Sequence, residues 1–593
     1  MKRVWLAVFA LLLLAAPAPG LVFRPPQASQ WDCWVFCHEG TFYLFHLLSR
    51  SWDDWDGIGV ATSADGVHWT DRGIPITMAP GKRWLGTGST WLAPRPQASG
   101  KFILNFSEES PEGVQRIFFA ASDDLLRWRR LQTELGQDDR WYEPKGRWDT
   151  INTLPRAGGG LLGYWTASPR GRAGFAIGQS DDGLRWSAAA PPQLDWRNHK
   201  PARECELGDV DKIGERYYAM LGVGGTMRTF VADAPDGPFA AATRNFVLLQ
   251  GHGYFTRFVR SPEALLVVHH SISHQRHLRK MLNYTAPLKR AVVDGQGTLR
   301  LMWWAGNEKL KGEAIPVPAP TGAEAGKPAI LPARFDAARG FIVEGTFKRP
   351  PGNEPVGLIL EAEDDWAGAF LIDSDGACRA GHLKSDGSGF APAFRVQRDR
   401  GFADTVRFRL LVRHTMAELY LDDELFHVLS LPLWSTGRIG LLGSNPHVEG
   451  WEAWTMTLDP EPRVPRERGR AWRKPARASS GIASLAVDGN PATEWQSQPL
   501  KSSGQHEWIE VDLGSERPLS EVSINWGSRF ARDYAVQVSA DATTWQTVHR
   551  AQEARGGVET LSTPAHRCRH LRIDCGRPSR PGEAVAIREL FVQ

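Results

Sequence analysis

Three acidic residues far apart in this chain fall at corresponding points of an internal repeat, and their spacing constrains the fold more than any other feature. Asp32 in Trp31-Asp32-Cys33-Trp34, Asp149 in Arg147-Trp148-Asp149-Thr150 and Glu206 in Glu204-Cys205-Glu206-Leu207-Gly208-Asp209 are 117 and then 57 positions apart. The same unit shows in a turn signature. Ser63-Ala64-Asp65-Gly66-Val67-His68-Trp69, Ser122-Asp123-Asp124-Leu125-Leu126-Arg127-Trp128 and Ser180-Asp181-Asp182-Gly183-Leu184-Arg185-Trp186 start 59 and 58 residues apart, each with Trp six places after its Ser. Asp32 and Asp149 each precede the serine of their own repeat by 31 residues. A period of this size marks a propeller or an array. In a propeller, each blade is a small antiparallel sheet whose first strand lines the central axis, so equivalent positions in different blades converge on one cavity.

With 593 residues the chain has room for several domains, and its net charge of +3 calls for no nucleic-acid partner. Met1-Lys2-Arg3, an apolar run to Ala16 and the small residues Pro17 to Gly20 read as a signal peptide over 1–20. A secreted or periplasmic protein is expected. No later apolar run is long enough for a transmembrane span, and no Cys follows the cleavage region to carry a lipid. Six Cys in an exported chain invite disulfides, but two on one strand with the spacing of Cys33 and Cys37 have Cα atoms about 13 Å apart, against a limit near ~7 Å. Cys568 and Cys575 would lie further apart, so mostly free, buried thiols are expected.

The chain reads as all-β. Blade starts are expected at Asp32, at Gly86 to Trp91, at Trp148-Asp149, at Glu204 to Asp211 and at Gly251-His252-Gly253-Tyr254-Phe255, giving a five-bladed propeller over 21–325 that ends at the Pro-rich Ile315 to Pro320. Alternating strand and turn signals over 326–459 predict a β-sandwich. A basic tether is expected over 460–474, and a third β unit over 475–593.

Family resemblances sharpen these expectations. Ala486-Val487-Asp488-Gly489-Asn490-Pro491-Ala492-Thr493-Glu494-Trp495, Trp508-Ile509-Glu510-Val511-Asp512-Leu513-Gly514 and Tyr534 to Ser539 resemble the discoidin, or coagulation factor 5/8 type C, domain. That likeness implies a jelly roll that binds glycan, often with a structural calcium ion. The preceding sandwich is similar to the concanavalin and laminin G type. In the propeller, Glu204-Cys205, Gly59 to Ser63 with Val67-His68-Trp69, Trp84 to Ser89 and Arg147-Trp148-Asp149 resemble motifs of glycoside hydrolase family 32, and Gly251-His252-Gly253 is similar to family 43. The chain thus resembles the five-bladed clan that includes both. Its members use three carboxylates from separate blades, which implies a glycosidase acting on a poly- or oligosaccharide and needing no catalytic cofactor or metal.

Hydrolysis of a glycosidic bond needs a carboxylic acid that protonates the departing oxygen and a carboxylate opposite it. Asp32 is expected as nucleophile or base, Glu206 as the acid with a pKa raised by its neighbours, and Asp149, by resemblance, as a holder of sugar hydroxyls. The repeat phase favours Glu206 and the Glu-Cys likeness favours Glu204. Both stay in contention, since positions two apart on a strand face the same way. Trp31, Trp34, Trp91, Arg147 and Trp148 are candidate substrate contacts. His252 either joins them or is a satisfied core histidine. Two other readings are a glycan-binding propeller without activity and, from the likeness of the Ser-x-Asp turn to an Asp-box, a sialidase-type propeller.

Overall fold

The computed structural model describes residues 21–592 except 26–27, 50–54, 96–99, 274–281, 319–328, 349–353, 363–366, 384–389, 400–403, 432–434, 444–446, 460–469, 489–492 and 503. The expected signal peptide and most of the expected basic tether lie outside the described residues. Two compact units divide the chain near residue 461.

The first unit opens with five blades. Their inner strands are Ser29–His38, Trp84–Leu92, Trp148–Pro155, Glu206–Ile213 and Gly253–Arg260, each continuing outward through antiparallel neighbours. Each inner strand lies against the next, and the fifth returns to the first. Blade faces pack on both sides, so the strands read as continuous apolar runs rather than alternating ones, as buried sheets do. Trp34, Phe45, Val60, Leu104 and Phe106 fill the space between the first two blades. Ile103, Phe119, Trp148, Trp165 and Trp186 fill the next, and Tyr164, Phe175, Leu207 and Phe230 the one after. The ring is also tied at its N-terminal end, where fully buried Phe23 bridges Thr285 of the fifth blade.

All five inner strands carry a β-bulge at the same depth. One extra residue interrupts the pairing at Asp32, at Gly86–Thr87, at Thr150, at Gly208 and at Phe255–Thr256. Bulges bend a strand and re-aim its side chains, and here they do so around one axis.

The repeating turn is a local hydrogen-bond device. The Ser63, Ser122 and Ser180 hydroxyls accept from the backbone N–H three residues on. Asp65, Asp124 and Asp182 then accept from the next two. A fourth copy, Ser539-Ala540-Asp541-Ala542-Thr543-Thr544-Trp545, stands in the C-terminal unit with the same bonds. The turn is therefore a portable hairpin and no marker of a sialidase-type propeller.

After the fifth blade the chain enters the sandwich earlier than the Pro-rich segment suggested. Lys311–Ala314 already pairs with the sandwich strand His447–Met456. The two sandwich sheets enclose Phe341, Leu358, Phe370, Phe408, Leu410 and Ile439. One sheet is continuous with the fifth blade through the pairing of Met302 with Glu424.

The second unit is built on two long bent strands, Glu507–Trp526 and Val558–Cys575, which pair along most of their length. Their inner faces meet Trp495, Trp526, Tyr534 and Ile573 in one core. Arg470 to Lys474, expected as tether, pack onto this unit. Ala471 is fully buried, and the Arg470 guanidinium donates to the carbonyls of Ser515, Pro518 and Cys568. The six cysteines are free thiols, five of them buried.

Burial alone would raise the turn carboxyls of Asp65 and Asp124, but hydrogen bonds from His68 and Val67, and from Arg127 and Leu126, outweigh it and hold both at about 2. A depressed folded-state pKa contributes stability above the unfolded value, near ~4, that is lost as pH falls through the folded one. The Asp65→Asn/Asp124→Asn variant should unfold at lower urea than wild type at pH 7, by about 1–2 kcal/mol. That gap should close between pH 4 and 2, as read from tryptophan fluorescence. A gap independent of pH would contradict this account.

Candidate active site

Where the five bulges meet, carboxyl and guanidinium groups from four blades share one enclosure. Asp32 is itself the bulge residue of the first inner strand, Asp149 precedes the bulge of the third, and Glu206 opens the fourth. Asp32 and Asp149 keep only 8% and 2% of their surface, whereas the Glu206 side chain is 31% exposed. Arg147 spans two of them, with Nη1 2.5 Å from Glu206 Oε1 and Nη2 3.4 Å from Asp149 Oδ2.

Asp149 is held from behind. Ser107 Oγ donates to its Oδ1 at 2.6 Å and Thr150 Oγ1 to the same oxygen at 3.1 Å. Gln115 Nε2 donates in turn to Ser107 Oγ at 2.9 Å, and Gln115 Oε1 accepts from the Trp148 N–H at 3.0 Å. Glu206 Oε2 accepts from the Tyr254 hydroxyl at 3.1 Å. Asp32 Oδ1 has no hydrogen-bond partner among the described residues, and His270 Nδ1 lies 3.8 Å from it.

The bulges free backbone groups, and side chains of neighbouring blades take them up. Asn105 accepts from the Ile151 N–H at 2.8 Å, Thr166 from Leu207 N–H at 2.9 Å, and Asp209 from Phe258 N–H at 3.0 Å. Asn152 donates to the Gly208 carbonyl at 3.1 Å. Beneath the carboxyls lies Arg257, 1% exposed, which reaches from the fifth blade to Asn152 Oδ1 at 3.0 Å and Thr87 Oγ1 at 3.3 Å. A buried guanidinium without a close ion pair is costly. The carboxyls of Asp32, Asp209 and Asp149 surround it and partly offset its loss of hydration.

Protonation follows from this crowding. Burial, then the charge of Glu206, push the Asp32 carboxyl up to about 8 against the opposing charge of Arg257. Burial also raises Asp209 to about 7, again opposed by Arg257. Asp149 is raised by burial but restrained by Arg147 and its two hydroxyl donors. Desolvation and the neighbouring Glu206 raise the Tyr254 phenol well beyond its ordinary range. The site therefore retains a proton on a carboxyl near neutral pH, the condition under which one acid and one carboxylate can work as a pair.

Several sequence expectations are revised by packing. Glu204 is exposed and lies before the inner strand, which starts at Glu206. Trp34 is 3% exposed, stacks on Phe45 and donates to Thr90. Trp91 is 4% exposed and packs edge-on to Trp186, and fully buried Trp148 packs against Trp165 while its Nε1 donates to Leu135. None of these three offers a ring face to a sugar. Trp31 keeps accessible surface next to Asp32, between Trp55 at 6.1 Å and His270 at 4.5 Å. His252 turns to the sandwich, where its Nδ1 accepts from the Ser430 N–H at 2.9 Å and its ring meets Phe394. The calcium expected from the discoidin likeness finds no gathering of three His, Cys, Asp or Glu among the described residues, and the loop 489–492 lies outside them.

Tyr254, Arg257, Ser107 and His270 were not foreseen. Tyr254 and Arg257 belong to the fifth inner strand, whose position the repeat did predict, so carrying the repeat phase into that strand would have found them. Ser107 and His270 stand on second strands and reach the axis only through the bulges of their inner neighbours.

Gly86 shows how closely the site is built. A Cβ there would lie 2.1 Å from Ser107 Oγ and 2.9 Å from Asp149 Oδ1. Gly86→Ala is expected to cost about 1–3 kcal/mol in denaturant titration. Adding Ser107→Ala should recover part of that loss, giving a non-additive cycle. Strict additivity would mean the two sites do not touch.

Comparison with known proteins agrees with this architecture. The F5/8 type C domain model matches residues 473–590. Over 75% of this chain and 99% of the other, the structure is similar to an exo-inulinase from Aspergillus awamori, with 14% identity and a TM-score of 0.59. A fructan 1-exohydrolase IIa from Cichorium intybus with 1-kestose matches over 75% and 98% at 13% identity, TM-score 0.59. A family 32 β-fructofuranosidase from Bombyx mori with sucrose matches over 75% and 94% at 12% identity, TM-score 0.58. A search of curated proteins returns no match. The chain thus joins the propeller-plus-sandwich fold found in family 32 glycoside hydrolases to a C-terminal F5/8 type C domain.

Proposed function

We propose that this chain is an exported glycoside hydrolase that cleaves a poly- or oligosaccharide in the propeller pocket, with β-fructosides the first substrates to try. The observation that carries the reading is the convergence of Asp32, Asp149 and Glu206, residues 117 and 57 positions apart, on one partly open enclosure lined by Arg147 and Tyr254. The fold likeness supports it, and the relatives named above act on fructosides.

Exposure divides the roles. Asp32 sits at the floor, where a sugar ring would lie above it, and serves as nucleophile or base. Glu206 stands nearer solvent, on the side by which a leaving group departs, and serves as the acid once the shared proton reaches it. Asp149, fixed by Ser107 and Thr150, accepts sugar hydroxyls and faces the positive charge that develops on the ring. Arg147 holds Asp149 and Glu206 at their spacing, and Trp31 offers an apolar wall. The F5/8 type C domain is proposed to hold the enzyme to glycan.

Turnover of sucrose, 1-kestose, inulin and a series of aryl glycosides by wild type, Asp32→Asn and Glu206→Gln tests the assignment. Asp32→Asn should lose at least roughly a thousandfold in kcat/KM on every substrate. Glu206→Gln should lose about a hundredfold or more on sucrose and far less on aryl glycosides whose leaving group needs no proton. Equal activity in all three proteins would refute the roles, and binding of a sugar without turnover would favour a glycan-binding propeller.

The proton held on Asp32 by burial and by the charge of Glu206 predicts a pH profile. Below about 8 the Asp32 carboxyl keeps its proton, and above it that proton is lost from the site. The kcat/KM of the free enzyme should therefore fall on the alkaline side through about pH 8, and a flat profile to pH 9.5 would rule out the shared proton.

A further inference from the structure

His270 is an unexplained buried polar side chain beside Asp32. It stands on the second strand of the fifth blade, Leu265–Ser273, opposite Tyr254. It has no accessible surface, and neither ring nitrogen has a hydrogen-bond partner among the described residues. Its Nδ1 lies 3.8 Å from Asp32 Oδ1, an oxygen that is also buried and unpartnered. Trp31 covers the ring at 4.5 Å and Tyr254 lies 6.0 Å away edge-on, its hydroxyl on Glu206. Two complementary orphan groups that face each other in a dry floor cost free energy until they meet. A closure of about 1 Å would join them at ordinary hydrogen-bond length.

We propose, resting on the glycosidase reading above, that His270 is a positioning residue for Asp32: in the sugar-loaded site its Nδ1–H closes onto Asp32 Oδ1 and biases the shared proton from Asp32 to Glu206. The ring is suited to this. Burial, with the charge of Arg257, keeps it neutral down to about pH 3, so it carries one N–H, and Asp32 is the acceptor within reach. A donor on Oδ1 favours the ionised form of Asp32, and the proton then resides on Glu206, where the leaving group needs it. The other groups facing Asp32 are Cys33 on its own strand, Arg147, Asp149 and Glu206 from the third and fourth blades, and Arg257 and Tyr254 from the fifth. Among these, only the Arg147 and Arg257 charges also favour ionised Asp32. Arg147 is bound to Glu206 and Asp149, and Arg257 to Asn152 and Thr87.

His270→Asn and His270→Gln test this in the full chain. The Asn amide nitrogen falls where Nδ1 stands, and the Gln amide falls where Nε2 stands. Both keep a polar group of similar size, so general damage to the floor would be shared by the two. On whichever of sucrose, 1-kestose or a 4-nitrophenyl glycoside the wild type turns over, His270→Gln should lower kcat roughly tenfold to a hundredfold with KM nearly unchanged. It should also shift the alkaline limb of kcat upward, because in the sugar-loaded site Asp32 then holds its proton more tightly. His270→Asn should recover at least about tenfold in kcat over Gln and return the limb toward wild type. Equal kcat and coincident pH profiles for Asn, Gln and wild type, with Asp32→Asn inactive, would overturn the role of His270 alone. Failure of the wild type to turn over any of these sugars, or full activity of Asp32→Asn, would overturn both readings.

Discussion

The structure depends on one repeated irregularity, the single extra residue in each of the five strands nearest the axis. Regular strands of a propeller would point alternate side chains into the neighbouring blades and leave the axis lined by backbone. A bulge breaks that alternation at one level, brings acidic and basic side chains inward there, and releases N–H and C=O groups from the ladder. Asn105, Asn152, Thr166 and Asp209 take up those released groups across blade boundaries. The bonds that answer the irregularity are therefore the same bonds that stitch the blades together around the site.

That placement sets the electrostatics. Four carboxyls, of Asp32, Asp149, Glu206 and Asp209, share an enclosure with two guanidiniums, of Arg147 and Arg257. Arg147, at the open side, is bound directly to Glu206 and Asp149, and Arg257, at the closed side, acts by proximity alone. Full ionisation would leave negative charge unbalanced away from water, so Asp32 and Asp209, which lack the direct guanidinium contact that Asp149 has, hold protons into the neutral range.

Much of this was legible from spacing. The repeat located all five inner strands and the three carboxyls, because a propeller converts sequence period directly into angular position. Glu204 and Glu206 differ in where the fourth inner strand starts: Glu206 enters it by pairing with Gly222 and Glu204 stays exposed before it, a difference that no local signal carries. Trp34, Trp91 and Trp148 were misread because a wedge between blades and a sugar platform both call for a broad flat ring. The deciding factor is which way the bulge turns the strand. His270 carried no repeat phase and enters the site only through the pairing of its strand with Gly253–Arg260. Arg470 to Lys474 read as a solvated tether on charge alone, yet the Arg470 guanidinium finds three carbonyls to cap.

The shared sheet between the fifth blade and the sandwich reaches beyond strand pairing. Fully buried Lys289 of the propeller donates to both oxygens of Glu418 of the sandwich, at 2.8 and 3.0 Å, and Tyr420 donates to the same carboxylate. Arg300 does the same to Glu424, at 3.0 and 3.1 Å. A fragment cut at the Pro-rich segment would lose both ion pairs together with the apolar surface that the sandwich covers. In evolutionary terms the two bodies can exchange loops freely but not partners. A charge changed on one side of Lys289–Glu418 or Arg300–Glu424 calls for its counterpart on the other, which couples this propeller to this sandwich.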